Sequence, residues 1–191
     1  MKKHAKTIFI DRDGVINKDP GGWTEHNYVT SWKDFHFLPG AKAAIRVLNH
    51  AGYDIVVISN QAGVGRGFYS EEKLEFINRN MLDEIKRSGG RIKRTYYCIH
   101  RKDDDCDCRK PKTGLFGKAE KELGITARGA CFIGDGVMDV AAGKKAGMRT
   151  MLVLSGKSRP GDIKKWKAKP DFVFKDLREA ASFILKEEVK R

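Results

Sequence analysis

Two acids and a glycine directly follow a short apolar stretch near the start of the chain, in IFIDRDGVIN at residues 8–17. The apolar residues predict a buried strand, so Asp11 and Asp13 leave the end of that strand two positions apart. Neighbouring carboxylates repel each other unless a cation lies between them or a reaction needs both. One carboxylate can attack a phosphoryl group to give a covalent aspartyl phosphate, and the other can protonate the leaving oxygen and later activate water.

Further polar residues follow two other predicted strands. Ser59 and Asn60 come after IVVI, and Asp135 and Asp139 come after ACFI. Because ligands bind at the carboxyl ends of parallel strands, these side chains are expected to converge with Asp11 in an oxygen-rich pocket suited to Mg²⁺. Asp139 has two interpretations of equal weight: it orients the site from behind the ligands, or it caps the helix that follows.

A second cluster combines three cysteines and a histidine within eleven residues. Such tight spacing, in a chain with no recognisable export signal, favours a metal over a disulfide. Four ligands with no open position are typical of a structural zinc site, which would fix the two cations that follow it, Arg109 and Lys110, over the pocket. The predicted zinc ligands are Cys98, His100, Cys106 and Cys108.

The elements that must position these residues alternate along the chain. Strand-length apolar runs are separated by segments of helical periodicity, which predicts an α/β fold with a doubly wound, Rossmann-like parallel sheet and helices on both faces. The predicted strands cover Thr7–Ile10, Asp54–Ser59, Thr95–Ile99, Ala130–Ile133, Thr150–Leu154 and Asp171–Phe174.

Several residues predict where helices begin. Pro39 is expected in the first turn of one helix, and Ser70 is expected to cap the next. Asp176 and Glu179 form a pattern like a capping box ahead of the last helix.

Length and charge set further limits. A chain of 191 residues predicts one domain over residues 1–191, and the spacing of the motifs leaves no room for a separate lid domain. The net charge of +13 predicts attraction of anions, although a solvated lysine-rich surface explains it equally well. No apolar run approaches the roughly 20 residues of a membrane span, so a cytoplasmic location without a membrane partner is expected.

Four ordered motifs, DRDGVIN, VISNQAG, CRKPK and IGDGVMD, resemble those of the haloacid dehalogenase superfamily of phosphatases over nearly the whole chain. The resemblance implies that Asp11 is the nucleophile and Asp13 the general acid and base. It also implies that Ser59 hydrogen-bonds the phosphoryl group and that Lys110 balances the charge of Asp11 and phosphate. Asp135 would bind Mg²⁺ together with Asp11 and the backbone carbonyl of Asp13.

The cysteine loop joined to CRKP, together with SNQAGVGRG, is similar to the D-glycero-D-manno-heptose 1,7-bisphosphate 7-phosphatases and to the related histidinol-phosphate phosphatases. Arg66-Gly67 favours the heptose group. The resemblance implies removal of the 7-phosphate of the sugar in the synthesis of surface polysaccharide such as lipopolysaccharide. The substrate-binding residues that it implies are Asp19, Asn27, Tyr28, Asn60, Gln61, Arg66 and Arg109.

The chain departs from that family at two places. Gly136 stands where the family commonly has a lysine, so one charge contact to the phosphate is expected to be missing. The segment PGGWTEHN, residues 20–27, is longer than in the family and lies where the far end of a sugar would bind. Trp23 and Trp32 either stack on the sugar or pin this loop to the body, and pinning is favoured.

Two alternative phosphatase substrates and one non-enzymatic function compete with this interpretation. Histidinol phosphate is the nearest alternative substrate, with Arg66 against it. A polynucleotide 3′-phosphatase suits the charge and the missing lid, but the basic residues are dispersed and no aromatic pattern interleaves with them. A zinc-stabilised binding module would gain nothing from the repelling carboxylates Asp11 and Asp13. The expected protein is therefore a monomeric enzyme whose partner is a small phosphorylated sugar rather than nucleic acid.

Overall fold

The computed structural model describes residues 6–189, so the ends of the predicted domain, residues 1–5 and 190–191, lie outside the described part. Six parallel strands form one sheet in the order β3-β2-β1-β4-β5-β6. The strands are β1 Lys6–Ile10, β2 Tyr53–Asn60, β3 Arg94–Cys98, β4 Cys131–Gly134, β5 Arg149–Val153 and β6 Phe172–Phe174. The helices are α1 Ala41–His50, α2 Glu71–Arg87, α3 Gly114–Leu123, α4 Val137–Lys145, α5 Pro160–Ile163 and α6 Leu177–Val189, with a 3-10 turn at Trp32–Asp34.

Apolar residues cover both faces of the sheet, which explains why its central strands are almost continuously apolar. In β1, Ile8 and Ile10 contribute to the core on one face, while Phe9 packs into the core on the other. The first core includes residues of α1, α2 and α6, and the second includes residues of α3 and α4. The predicted doubly wound α/β fold is confirmed.

The strand order reverses between β1 and β4, and this is the point at which open α/β sheets bind ligands. Ile10 lies in register with Ile133, and the amide of Asp11 donates to the carbonyl of Ile133 at 2.9 Å. Asp11 and Asp135 therefore leave adjacent strands at the same edge of the sheet.

The helix starts follow the prediction at two of three places. Ser70 caps α2 by accepting a hydrogen bond from the amide of Lys73 at 3.3 Å. Asp176 accepts from the amide of Glu179 at 3.1 Å, although the Glu179 carboxylate reaches back to the amide of Lys175 instead of the amide of Asp176.

The prediction for Pro39 was wrong. Helix α1 begins at Ala41, after Gly40, whose φ of 77° lies in the left-handed region. A Cβ at position 40 would lie 2.0 Å from Cδ of Arg178, so close packing against the start of α6 also requires glycine there. Among residues 6–189, no helix is long and apolar enough to cross a membrane.

Candidate active site

Lys110 lies at the centre of the site, 2 % exposed. Its Nζ lies 3.0 Å from Oδ2 of Asp11 and 2.5 Å from Oδ1 of Asp139, and it donates to the carbonyl of Ile58 at 2.9 Å. Burial acts to lower the pKa of Lys110, but the two carboxylates outweigh this effect and the pKa is raised. The ammonium is therefore a fixed positive charge beside Asp11, and its three N–H donors all point at protein oxygens.

The Asn60 side chain holds the backbone of Lys110. Its Oδ1 accepts from the amide of Lys110 at 3.0 Å, and its Nδ2 donates to the Lys110 carbonyl at 3.2 Å. The sequence predicted a substrate contact for Asn60. In the structure its amide pairs with the backbone on both sides of the Lys110 Cα, which fixes where the lysine side chain starts. The substrate contact stays a prediction.

Asp11 is buried with its two oxygens separately engaged. Oδ1 accepts from the amide of Arg12 at 2.7 Å, and Oδ2 faces Lys110. Burial raises the pKa of Asp11, while Lys110 and a hydrogen bond from Ser59 act against that rise. Additional positive charge at this position would favour the ionised carboxylate, which is the nucleophilic form.

Asp135 faces Asp11 from the end of β4 and is fully buried. Two glycines allow this, because a Cβ at Gly14 would lie 2.4 Å from Asp135 Oδ2 and a Cβ at Gly156 would lie 2.1 Å from it. Three carboxylate oxygens lie within 4.8 Å of one another, one each from Asp11, Asp135 and Asp139. Burial raises the pKa of Asp135 to about 7, against the lowering effect of nearby Lys157.

Asp139 performs both of the functions that the sequence left open. Oδ1 pairs with Lys110, and Oδ2 accepts from the amide of Gly136 at 3.0 Å and so caps α4. Asp139 therefore holds Lys110 in place and also caps α4.

Asp13 pairs with Arg12, whereas the cation beside Asp11 is Lys110. Its carboxylate accepts from Nε and Nη2 of Arg12 at 3.1 Å each, from Nδ2 of Asn17 at 2.8 Å and from Nε2 of Gln61 at 2.7 Å. Arg12 is fully buried. Burial acts to lower the pKa of Arg12, but Asp13 outweighs this effect and the pKa is raised. Repulsion between the two acids is thus relieved by two cations, Lys110 for Asp11 and Arg12 for Asp13.

Gln61 connects this second group to the rest of the site and has no exposed surface. Its Nε2 donates to Asp13 and to Ser59 Oγ at 3.2 Å, while its Oε1 accepts from Arg12 Nη2 at 2.9 Å and from the Tyr69 hydroxyl at 2.8 Å. These interactions set the orientation of Asp13, and the substrate contact of Gln61 stays a prediction.

The four predicted zinc ligands converge. One ligand atom from each lies within 4.8 Å of the others. Cys98 Sγ lies 3.6 Å from Cys106 Sγ and 3.1 Å from Cys108 Sγ, and His100 Nδ1 lies 3.1 Å from Cys108 Sγ. A tetrahedral ion with bonds of about 2.3 Å needs ligand atoms about 3.8 Å apart, so these atoms would move apart slightly to hold zinc.

The loop of residues 18–31, here called the flap loop, carries three predicted substrate contacts. Asp19 Oδ1 accepts from the amide of Gly21 at 2.9 Å, and Asn27 Oδ1 accepts from the amide of Gly22 at 2.8 Å. The ring of Tyr28 lies 5.7 Å from that of Phe68. Asp19 and Asn27 shape the loop, and Tyr28 packs it against the segment after β2.

Trp23 and Trp32 both make contacts that hold the flap loop in place. Trp23 Nε1 donates to the carbonyl of Asp19 within the flap loop at 2.6 Å, and the Trp23 ring lies 5.2 Å from the ring of His36 outside it. The Trp32 ring stacks on Phe35 with the ring centroids 4.9 Å apart, at the edge of the first core. These contacts hold the loop to the body of the protein.

Two predicted substrate-binding arginines come from adjacent loops. Arg66 is exposed in the loop after β2, which is joined to the cysteine loop by a hydrogen bond from the amide of Gly65 to the carbonyl of Ile99 at 3.0 Å. Arg109 is half-buried, with Nη1 3.4 Å from the carbonyl of His100. Both cations therefore lie on the cysteine-loop side of the site.

Sequence reasoning missed Arg12, Asn17, Tyr69 and Lys157. Arg12 carries a usable signal, because an arginine between two acids at the end of a buried strand must pair with one of them. Lys157 carries no comparable signal, since its loop meets Asp135 only in the folded chain.

Comparison with known proteins agrees with this geometry. The family model for HAD-hydrolase-like proteins matches residues 107–180, which include Lys110, Asp135 and Asp139. This match and the strand that ends before Asp11 at a topological switch point, with Asp135 on the neighbouring strand, place the chain in the class of HAD-like hydrolases.

Several relatives are more specific. A D-glycero-beta-D-manno-heptose-1,7-bisphosphate 7-phosphatase of Pasteurella multocida is 38 % identical over 84 % of this chain and 88 % of its own length. A D-glycero-alpha-D-manno-heptose-1,7-bisphosphate 7-phosphatase of Campylobacter jejuni is 32 % identical over 97 % of this chain and 99 % of its own. A crystal structure of D,D-heptose 1,7-bisphosphate phosphatase from B. bronchiseptica, with magnesium and phosphate bound, has a TM-score of 0.87 and 31 % identity, covering 95 % of this chain and 99 % of that one. The chain belongs to the heptose 1,7-bisphosphate 7-phosphatase family of HAD-like hydrolases.

Proposed function

We propose that this protein is a Mg²⁺-dependent phosphatase that hydrolyses the 7-phosphate of a D-glycero-D-manno-heptose 1,7-bisphosphate. The observation that carries the proposal is the placement of Lys110 3.0 Å from Asp11, with Asp135 across the sheet edge. A buried carboxylate held beside a fixed cation is suited to attack on phosphorus. The family relationship supplies the substrate class, since the relatives are named for this sugar.

The reaction has two steps. An oxygen of Asp11 attacks the phosphorus, the bond from phosphorus to the sugar oxygen breaks, and Asp13 gives its proton to that oxygen. Asp13 then takes a proton from water, which attacks the phosphorus and breaks its bond to Asp11. Inorganic phosphate leaves, and both acids return to their starting state. Arg12, Asn17 and Gln61 set the direction from which Asp13 acts.

The residues present fit a magnesium ion. Asp11 and Asp135 each direct a carboxylate oxygen into one small volume, and hard carboxylate oxygens are the donors that Mg²⁺ prefers. The raised pKa of Asp135 reflects a buried acid that is not fully compensated by the described cations. The ion would be held by Asp11, Asp135 and, as the resemblance implies, the carbonyl of Asp13. When bound, it supplies neutralising charge for the transferring oxygens.

The cysteine loop fits a structural zinc ion. Burial raises the pKa of Cys98 and of Cys108, and without a cation their thiolates would be strongly disfavoured. The run between them is polar, with Asp103, Asp104 and Asp105 exposed, so it has no apolar core of its own. Zinc would fold this loop and thereby position Arg109 and Lys110.

The substrate experiment measures initial phosphate release with Mg²⁺ from both 1-phosphate anomers of heptose 1,7-bisphosphate, from histidinol phosphate and from a 3′-phosphorylated oligonucleotide. We expect one heptose anomer to exceed the other compounds by orders of magnitude in kcat/KM. Equal or better turnover of histidinol phosphate or the oligonucleotide would reject the substrate assignment.

A pair of variants tests the nucleophile in the same assay. Asp11→Asn should reduce turnover to background while thermal unfolding shows an intact fold. Asp83→Asn, at an exposed acid on α2, is the matched control and should retain wild-type turnover. Near-normal turnover in Asp11→Asn would reject the aspartyl-phosphate mechanism.

A further inference from the structure

Lys157 reaches the active site from a loop that none of the phosphatase motifs includes. Residues 154–159 connect β5 to α5, and within them the Lys157 Nζ lies 3.2 Å from Oδ1 of Asp135. Its side chain is 55 % exposed, whereas that of Lys110 is 2 % exposed. Lys157 therefore lies at the mouth of the site and Lys110 at its base.

The structure fixes the loop on both sides of this lysine. The Ser155 hydroxyl donates to the carbonyl of Gly14 at 2.7 Å, and the Ser158 hydroxyl donates to the carbonyl of Asp135 at 2.5 Å. The amide of Lys157 itself donates to Asp135 Oδ2 at 2.9 Å. The loop is thus held at Ser155, Lys157 and Ser158 against the segments that follow β1 and β4.

The two lysines differ in what they can offer a phosphate. The three N–H donors of Lys110 are directed at Asp11, Asp139 and the carbonyl of Ile58. The described contact of the Lys157 ammonium is to Asp135 alone, and an ammonium has three donors. Lys157 therefore has both the exposure and the donors to contact an incoming anion.

Gly136 provides the space that Lys157 uses. A Cβ at position 136 would lie 2.5 Å from Cε of Lys157 and 3.3 Å from its Nζ. The backbone of Gly136 is extended, with φ at −145°, so other residues could adopt it. Gly136 has no side chain, and the side chain of Lys157 lies where the side chain of another residue at position 136 would be.

We infer that Lys157 is a phosphate-contacting residue of this enzyme and supplies, from the loop after β5, the charge that position 136 lacks. This inference rests on the proposed phosphatase function. Lys157 would contact the oxygens of the transferring phosphoryl group from the solvent side, opposite Lys110.

The test uses inorganic phosphate as the probe, with protein saturated in Mg²⁺, and measures its affinity by calorimetry. Lys157→Met should weaken phosphate binding at least tenfold and lower kcat/KM at least tenfold on whichever phosphate ester the wild-type protein turns over. Lys165→Met, at an exposed lysine just after α5, is the matched control and should change neither quantity.

Moving the positive charge from position 157 to position 136 distinguishes a direct contact with phosphate from an indirect effect of Lys157 on Asp135. Lys157→Ala removes the Cε atom that a side chain at position 136 would meet, so Gly136→Lys in the Lys157→Ala background should restore most of the phosphate affinity that is lost with Lys157. Gly136→Ala in that background fills space without charge and should restore none of it. A lysine that only neutralised Asp135 would not be replaced in this way.

Two results would overturn the inference: phosphate affinity within twofold of wild type in Lys157→Met, or no difference between the Gly136→Lys and Gly136→Ala double variants. Neither depends on which sugar is the substrate, because phosphate binding is measured directly. Failure of the heptose assay with intact phosphate binding would instead count against the proposed substrate alone.

Discussion

The Nζ of Lys110 lies 2.5 Å from Oδ1 of Asp139, and both side chains are almost fully buried. Lys110 comes from the loop before α3 and Asp139 from the first turn of α4. Each is fixed by a second contact, Lys110 by Asn60 through its backbone and Asp139 by the amide of Gly136. Burial acts to raise the pKa of Asp139, but Lys110 outweighs this effect and the pKa is lowered. Asp139 therefore remains an anion whose function is to hold the cation beside Asp11.

Asp139→Asn should lower kcat by about tenfold to a hundredfold, because a charge-assisted hydrogen bond contributes about 1.5–3 kcal/mol. An asparagine has one acceptor oxygen here, so it cannot both cap α4 and accept from Lys110. Glu179→Gln, which changes an acid in the first turn of α6, is the control for a cap effect alone. It should reduce stability slightly without changing kcat, and equal kcat for Asp139→Asn and wild type would contradict the assignment.

Gln61→Leu should lower kcat by about tenfold to a hundredfold with little change in KM, because Gln61 orients Asp13 and has no exposed surface for substrate. Steady-state kinetics on the preferred phosphate ester measures kcat and KM separately. Tyr69→Phe removes a different hydrogen bond to Gln61 and leaves the Asp13 contact in place, so it should retain most of kcat. A Gln61→Leu variant with raised KM and unchanged kcat would support a substrate contact instead.

Much of this arrangement can be predicted from the sequence, because the ends of the strands can be located there. The apolar runs before Asp11, Ser59 and Asp135 predict parallel strands, and a parallel sheet brings their carboxyl ends to one edge. The cysteine spacing likewise predicts a cluster of four ligands, since local spacing limits how far apart they can lie. These inferences depend on regular elements and on short separations along the chain.

The contacts that could not be predicted depend on side-chain direction and on loop docking. Nothing in the sequence distinguishes an Asn60 that faces the substrate from one that pairs with the backbone of Lys110. The amide of Gln61 turns toward Asp13 because Arg12 and Tyr69 are also there to pair with it. Lys157 reaches Asp135 only because Ser155 and Ser158 attach its loop to two other segments.

Cys106→Ala should lose zinc, since it removes one of four ligands whose atoms lie within 4.8 Å of one another. Elemental analysis of the purified protein should fall from about one zinc per chain, the content expected of a closed four-ligand site, to a small fraction. We expect KM to rise more than kcat falls, because the loop positions Arg109 while Lys110 keeps its contacts with Asn60. Cys131→Ala, on β4 outside the cluster, should keep its zinc, and a full complement of zinc in Cys106→Ala would remove Cys106 from the ligand set.

Asp176→Ala should lower the free energy of unfolding by about 1 kcal/mol at neutral pH through loss of the α6 cap. Its carboxylate accepts from the amides of Arg178 and Glu179 at 2.9 and 3.1 Å and pairs with the Arg178 guanidinium. Burial acts to raise the pKa of Asp176, but these contacts outweigh it and the pKa is lowered.

The direction of that pKa shift sets the pH dependence of the Asp176 contribution. A carboxyl group with a lowered folded-state pKa stabilises the protein fully above its unfolded pKa of about 3.9, and the stabilisation is lost as the pH falls through the folded value. In urea unfolding, the difference between wild type and Asp176→Ala should therefore be constant from about pH 5 to 8 and shrink below about pH 4. Asp176→Asn keeps an acceptor for the amides but not the charge, so its deficit should be smaller at neutral pH. A difference that grew on acidification would show that Asp176 stabilises α6 in its protonated form.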